Sequence, residues 1–294
     1  MNDYLWDRSG DADDETRRLE ELLGAFRAPL PRLRPRRSLS RTIFVLPLAA
    51  MLVLGIALPT FLAYRATGWR AGAVAVYRPG AVIRASEPLH LETPSIGIVD
   101  VAAGTTLRIV DKRRLALDVG RIHATTTSPP GIFIVDTPST HATDLGCEYT
   151  LDVAKDGSGS LHVTAGWVEL GDGFAQSLVP RGASASFDAE GRLTPPVFDD
   201  ASPSFKDAVL RHDIPRAAAL ARTRDAFTLL NLFSRATEEE RLVVYDRLAQ
   251  LVPPPPEITR ESVRWWTPRS TGDWWPPVLK ASGVDAIKKK KKSV

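Results

Sequence analysis

Cysteine is nearly absent from this chain of 294 residues, because Cys147 is its only thiol. A single cysteine excludes an intrachain disulfide framework and any cysteine-rich zinc module. The net charge is also small, at +3, and much of the basic excess lies in residues 27–41 and 288–292. The remainder is close to neutral, so the broad basic surface of a nucleic-acid-binding protein is missing. We therefore expect no nucleic acid among the partners.

The chain also lacks the short motifs of common enzyme classes. It contains no G-x-S-x-G elbow, P-loop, H-E-x-x-H pair or dinucleotide fingerprint. Three histidines, His123, His141 and His162, lie in the same region as Cys147, but they would form a metal or nucleophilic site only if they converged. Cys147 follows a turn glycine, which favours a structural role. We predict no enzyme activity, no catalytic residue, no metal and no cofactor.

Charge is missing altogether from residues 43–64, which form an uncharged run of 22 residues. At about 1.5 Å per residue, such a helix is roughly 33 Å long, enough to cross a hydrocarbon core of about 30 Å. Six arginines lie between residues 27 and 41, whereas only Arg65 and Arg70 follow closely. This bias predicts a transmembrane helix over residues 42–65 with the N-terminus in the cytoplasm. A cleaved signal peptide is disfavoured, because its apolar region would be shorter and nearer the start.

Residues 1–41 form the predicted cytoplasmic segment, which contains an amphipathic helix. Acidic residues from Asp11 to Asp14 suit a helix start, and leucines then recur at helical spacing. Such a short helix is marginal alone in water. It would either lie on the bilayer or bind in the groove of another protein. The candidate partner-binding residues are Leu5, Trp6, Leu19, Leu22, Leu23 and Phe26.

Beyond a connector predicted over residues 66–90, the pattern from residue 91 to residue 200 changes to short alternating runs. Leu115, Leu117 and Val119 share one face, as do Leu161 and Val163. Glycines separate these runs at regular intervals. Short, regularly spaced strands are typical of an all-β sandwich, roll or short β-helix.

The order of segments in this region resembles a FecR domain. The segments are LALDVGRIHA, FIVDTP, DLGCEYTLDV, LHVTAGWVEL and SLVPRGASA. The residues that carry the resemblance are Leu117, Gly120, Phe133, Val135, Gly146, Tyr149, Val163, Gly166, Val168 and Gly182. Cys147 stands where the family commonly has threonine, and Tyr149 where it commonly has phenylalanine. Both substitutions are compatible with packing.

The FecR resemblance implies signal transduction across the inner membrane. A periplasmic β domain would sense a partner or an envelope state, and a cytoplasmic segment would control an extracytoplasmic-function sigma factor. A periplasmic or outer-membrane protein is left open as a further partner. The alternative is a membrane-anchored protein that binds or scaffolds the cell envelope and has no sigma-factor partner.

The C-terminal third returns to helical periodicity. Residues 201–252 read as short packed helices, one of them with a capping box formed by Thr237 and Glu240. Residues 253–294 form a Pro/Trp-rich extension with a lysine tail. Its tryptophan pairs at 265–266 and 274–275 could contact a partner or fold back over the helices. The predicted fold is mainly β, with one N-terminal transmembrane helix and a C-terminal α-helical region.

Overall fold

The computed structural model describes residues 11–24, 68–72, 75–171, 176–265, 267 and 271–284. The chain divides into two compact units, Met1–Thr60 and Phe61–Val294. The predicted transmembrane segment, residues 42–65, lies outside the described residues. Within the described ranges, no helix has the length and apolar character needed to span a membrane.

The described part of the second unit is mainly β, followed by helices. The strands are β1 (Trp69–Ala71), β2 (Ala75–Tyr77), β3 (Val82–Arg84), β4 (Leu89–Thr93), β5 (Gly97–Val101), β6 (Thr106–Ile109), β7 (Arg114–Thr126), β8 (Ile134–Asp136), β9 (His141–Asp144), β10 (Glu148–Val153), β11 (Gly159–Ala165), β12 (Trp167–Leu170), β13 (Ser177–Pro180), β14 (Ala183–Phe187) and β15 (Val197–Phe198). The helices are α1 (Asp14–Gly24), which belongs to the first unit, and α2 (Pro203–Leu210), α3 (Ile214–Leu220), α4 (Ala226–Leu232), α5 (Glu238–Leu251) and α6 (Trp275–Ala281). The prediction of a mainly β fold with a C-terminal helical region is confirmed.

Two sheets share the long strand β7. The first sheet has the order β2-β1-β4-β5-β7-β10-β11-β14-β15, with antiparallel neighbours. The second has the order β3-β6-β7-β8-β9-β12-β13, in which β7 and β8 are parallel. β7 passes from one sheet to the other at Gly120, whose φ is +108°. A Cβ there would lie 2.6 Å from Thr105 Cα, so the position requires glycine.

The inward faces of both sheets contribute to one hydrophobic core, as in a β-sandwich. Its members from the first sheet include Leu91, Val99, Ile122, Leu151 and Val163, and those from the second include Leu107, Leu117, Val135, Val168 and Val179. Alternation along each strand places these residues inward and polar residues outward.

Residues 66–90 differ from the connector expected from the sequence, because they contain β1, β2 and β3. Trp69 is fully buried, and its Nε1 donates a hydrogen bond to the Asp111 carbonyl oxygen at 3.3 Å. Its ring centroid lies 5.8 Å from that of Phe133. The three strands have three residues each, which is too short for alternation to identify them.

The C-terminal helices share the core of the β-sandwich. Phe227 in α4 lies with its ring centroid 6.0 Å from those of Trp167 and Phe198, and 5.5 Å from that of Trp275. The predicted capping box at the start of α5 is present: Glu240 N donates to Thr237 Oγ1, and Thr237 N donates to the Glu240 carboxylate. The helices therefore form one body with the strands.

Candidate functional site

Helix α1 is defined by its acidic start. The Thr16 amide donates to Asp13 Oδ1 at 2.9 Å, so Asp13 caps the helix. Hydrogen bonding to the Thr16 side chain, and then to its backbone amide, lowers the pKa of the Asp13 carboxyl. Asp14 and Glu15 follow in the first turn, where the helix dipole favours negative charge. Local interactions thus specify where the helix begins.

The apolar stripe of α1, formed by Leu19, Leu22 and Leu23, is exposed. These side chains are 55%, 65% and 63% exposed, and no residue of the helix is buried. Their spacing of three and four residues places them on one face. The other proposed members, Leu5, Trp6 and Phe26, lie outside the described residues. An exposed leucine stripe on a capped helix is typical of a segment that binds in a partner's groove.

The apolar residues of the FecR resemblance lie in the sandwich core rather than on a surface. Leu117 is 1% exposed, and the remaining members are fully buried: Phe133, Val135, Tyr149, Val163 and Val168. They belong to strands of both sheets or, for Phe133, to the segment just before β8. These apolar residues of the motif therefore contribute to the packing of the core.

The four glycines of the same motif, Gly120, Gly146, Gly166 and Gly182, all have positive φ. Gly166 has the strictest requirement, because a Cβ there would collide with the Gly146 carbonyl oxygen. Two turns of the motif, one before β10 and one between β11 and β12, therefore touch through their backbones. The contact requires glycine at position 166, whereas at position 146 no atom lies near the Cβ position and the φ of +91° is what favours glycine.

A buried polar cluster that the sequence interpretation did not identify surrounds Asp144. Thr126 Oγ1 donates to Asp144 Oδ2 at 2.8 Å, Ser128 Oγ lies 3.4 Å from the same oxygen, and the Cys147 thiol donates to Oδ1. Burial raises the pKa of Asp144 and that of Cys147. The Tyr149 hydroxyl is also buried, without a hydrogen-bond partner. Alternation along β9, which points Ala142 and Asp144 inward, is the signal that could have revealed this cluster.

The histidines of the β domain lie apart from this cluster. His123 Nδ1 lies 3.0 Å from Thr150 Oγ1, and His162 Nε2 lies 2.9 Å from Asp199 Oδ2, both on the outer face of the first sheet. His141 lies in β9 of the second sheet. The three histidines and the buried Cys147 therefore do not converge. Among the side chains that the structure describes, no group of three or more His, Cys, Asp or Glu could hold a metal ion.

No protein-family model matches this chain. No curated protein matches it either. Two crystal structures of a provisionally assigned anti-sigma factor from Parabacteroides distasonis are similar to part of it. The first is 18% identical, covers 47% of this chain and 74% of that chain, and has a TM-score of 0.35. The second is 17% identical, covers 47% and 75%, and has the same TM-score. Likeness at this level assigns this chain to no family.

The tryptophan pairs of the C-terminal extension have different environments. Trp274 is fully buried, and its Nε1 donates to the Val252 carbonyl oxygen at 3.1 Å. Trp275 packs on Phe227. This pair folds back over the helices, whereas Trp265 is 73% exposed and Trp266 lies outside the described residues. Among the described residues of the predicted binding surfaces, the exposed apolar side chains are thus Trp265 and the three leucines of the α1 stripe, and only the stripe places several of them on one face.

Proposed function

We propose that this chain is a single-pass inner-membrane signal-transduction protein, a FecR-like regulator of an extracytoplasmic-function sigma factor. Its N-terminal segment lies in the cytoplasm, residues 42–65 cross the membrane, and the β domain lies in the periplasm. The uncharged run and the arginines before it support this topology. The resemblance of the β-domain segments to FecR supports the regulatory role.

The observation that carries the proposal is the exposed stripe of α1. An isolated helix of 11 residues is marginal in water, and burying three leucines against a partner would stabilise it. The stripe runs along a helix whose other face is charged, as expected of a ligand that inserts one side into a groove. In this proposal the sigma factor provides that groove.

Binding of full-length protein in detergent to the sigma factors of its host tests the proposal. Replacing Leu22 with alanine removes a central side chain of the stripe without lowering helix propensity. We expect the affinity for the cognate sigma factor to fall about tenfold, which is the loss of an interface side chain worth about 1.4 kcal/mol.

The matched control is Glu21→Ala, since Glu21 is exposed on the opposite face of the same helix turn. It should leave the affinity within about twofold of the parent protein, in line with the small effect of most rim positions. Equal losses in the two variants would rule out the stripe as the contact. If the parent protein binds none of the sigma factors, the alternative of an envelope-binding or scaffold protein is favoured.

A further inference from the structure

The β-sandwich has two rims of opposite character, which the register of β7 defines. β7 bends at Gly120, opposite Val153 in β10, and the turn at residues 154–158 lies at this bend. The two ends of β7 lie together on the other side. Thr126, the last residue of β7, donates a hydrogen bond to Asp144, and the Asp144 amide donates to the Phe133 carbonyl oxygen. Ile134, which follows Phe133, pairs with Arg114, the first residue of β7.

We name these two sides by their turns. The proximal rim comprises turns 78–80, 110–113 and 181–182, and the distal rim comprises turns 154–158 and 188–192. Gly80 N donates to the Ile109 carbonyl oxygen at 2.8 Å, which joins the first two proximal turns. Gly182 N donates to the Val163 carbonyl oxygen at 2.8 Å, which places the third turn at the same end of the first sheet.

The turns that define the two rims differ in the sign of their charge, and Asp199 and Asp200 add two exposed carboxylates beside the third proximal turn, where the Asp199 amide donates to the Gly182 carbonyl oxygen. The proximal turns carry four exposed cations, Arg78, Lys112, Arg113 and Arg181, and one carboxylate, Asp111. The distal turns carry Lys155 and Arg192 with three carboxylates, Asp156, Asp188 and Glu190. Val110, which is 41% exposed, adds apolar surface on the proximal side. The proximal rim therefore suits an anionic surface with an apolar layer beneath it.

The chain enters the sandwich at this proximal rim. Trp69, the first residue of β1, is fully buried and donates to the Asp111 carbonyl oxygen. The predicted membrane span ends at residue 65, four positions earlier. Four extended residues reach at most about 14 Å. If residues 42–65 cross the bilayer, the proximal rim must lie within that distance of the headgroups.

We propose that the proximal rim lies against anionic phospholipid headgroups, with Lys112 and Arg113 binding their phosphates. Pro79, Asp111, Lys112 and Arg113 line an open hollow on this rim, which provides a place for a phosphate group. This inference rests on the membrane anchor of the proposed function. It adds a fixed orientation of the β domain, with the distal rim pointing away from the lipid.

Fluorescence quenching in vesicles tests the orientation with two matched labels on the full-length chain. Ser95 and Ala103 are exposed and flank β5, at its proximal and distal ends. Each is replaced by cysteine and labelled, while the native Cys147, only 5% exposed, is left in place. The vesicles contain phosphatidylethanolamine, phosphatidylglycerol and a lipid with a quencher on its headgroup. We expect several-fold stronger quenching of the label at 95 than of the label at 103.

Charge-reversal variants then test whether Lys112 and Arg113 hold the proximal rim against the headgroups. The double variant Lys112→Glu/Arg113→Glu should lower the quenching ratio of the two labels, although the short link to the membrane keeps it above one. Vesicles of phosphatidylcholine with the same quencher lipid should lower the ratio in the same way. The matched control Lys155→Glu/Arg192→Glu makes an equal change in net charge on the distal rim, and it should leave the quenching ratio unchanged.

Each other outcome has a distinct meaning. If the parent chain floats with the vesicles but both labels are quenched equally, the orientation is wrong and the anchor stands. If the ratio persists in the proximal double variant, Lys112 and Arg113 do not hold the rim to the lipid. If the chain does not float with vesicles at all, the anchor and this inference are refuted together.

Discussion

At the residue scale, Gly166 shows how one position can be restricted by both its conformation and its surroundings. Its φ is +75°, and a Cβ there would strike the Gly146 carbonyl oxygen. Gly104 has a similar φ of +81° with no atom near the Cβ position. We expect Gly104→Ala to reduce the free energy of unfolding by about 1 kcal/mol, and Gly166→Ala by about 3 kcal/mol or more.

Urea unfolding of the full-length protein in detergent, followed by tryptophan fluorescence, measures both glycine variants. The comparison isolates the backbone collision, because the conformational strain is common to the two positions. Equal losses in the free energy of unfolding would mean that the turns at Gly146 and Gly166 can move apart without cost. Their contact would then not stabilise the domain.

Asp144 makes stability depend on pH. Burial raises its pKa despite the hydrogen bonds from Thr126 and Cys147. The folded state therefore holds a proton more tightly than the unfolded state, whose aspartate pKa is about 3.9. Stability is greatest below that value and falls as pH rises through the higher folded pKa. Asp144→Asn does not titrate, so the stability of the parent protein relative to this variant should decrease from about pH 4 to pH 7.

The same unfolding assay at the two pH values tests the role of Asp144. A relative stability that increases with pH would contradict the prediction. It would show that the hydrogen bonds to the carboxylate outweigh the cost of burying its charge.

At the element scale, Arg235 attaches the helical region to the strands. It follows α4, and its guanidinium donates to the Leu193 carbonyl oxygen at 3.0 Å and to Ser177 Oγ at 2.7 Å. Burial lowers the pKa of Arg235 to about 10. Arg235→Met would keep an apolar stem but leave these acceptors without their donor. We expect a loss of about 2 to 3 kcal/mol in the free energy of unfolding.

Arg211 is the matched control for Arg235, since it is an exposed arginine that bonds Asp207 at 2.7 Å. Arg211→Met should change stability by about 0.5 kcal/mol or less, because exposed ion pairs contribute little. Denaturant titrations of both variants measure their free energies of unfolding. An Arg235 variant as stable as the Arg211 variant would show that packing alone, mainly of Phe227, attaches the helices.

At the scale of the whole molecule, the strands and the C-terminal helices belong to one compact unit. Phe227 contacts Phe198 in β15 as well as Trp275 near the end of the described chain. Removing the helices would therefore expose aromatic side chains of the sandwich. The boundary drawn at residue 200 from sequence marks a change in secondary structure, and it does not separate two independent cores.

Local chemistry in the sequence was sufficient to predict several features. Asp13 and the acidic turn indicated the start of α1, and the pair Thr237 and Glu240 indicated the start of α5. The alternation around Leu117 and Val163 indicated buried strands. These features depend on residues within a few positions of one another, so the sequence displays them directly.

Only the tertiary structure decided the contacts between distant residues. It paired β1 to β3 with strands of the sandwich, brought Thr126 to Asp144, and placed Arg235 against Leu193. Short strands carry too few residues for a periodic signal, and a polar residue gives no sign of a partner far along the chain. Their positions follow from closing two sheets and the C-terminal helices around one core, which local sequence patterns do not specify.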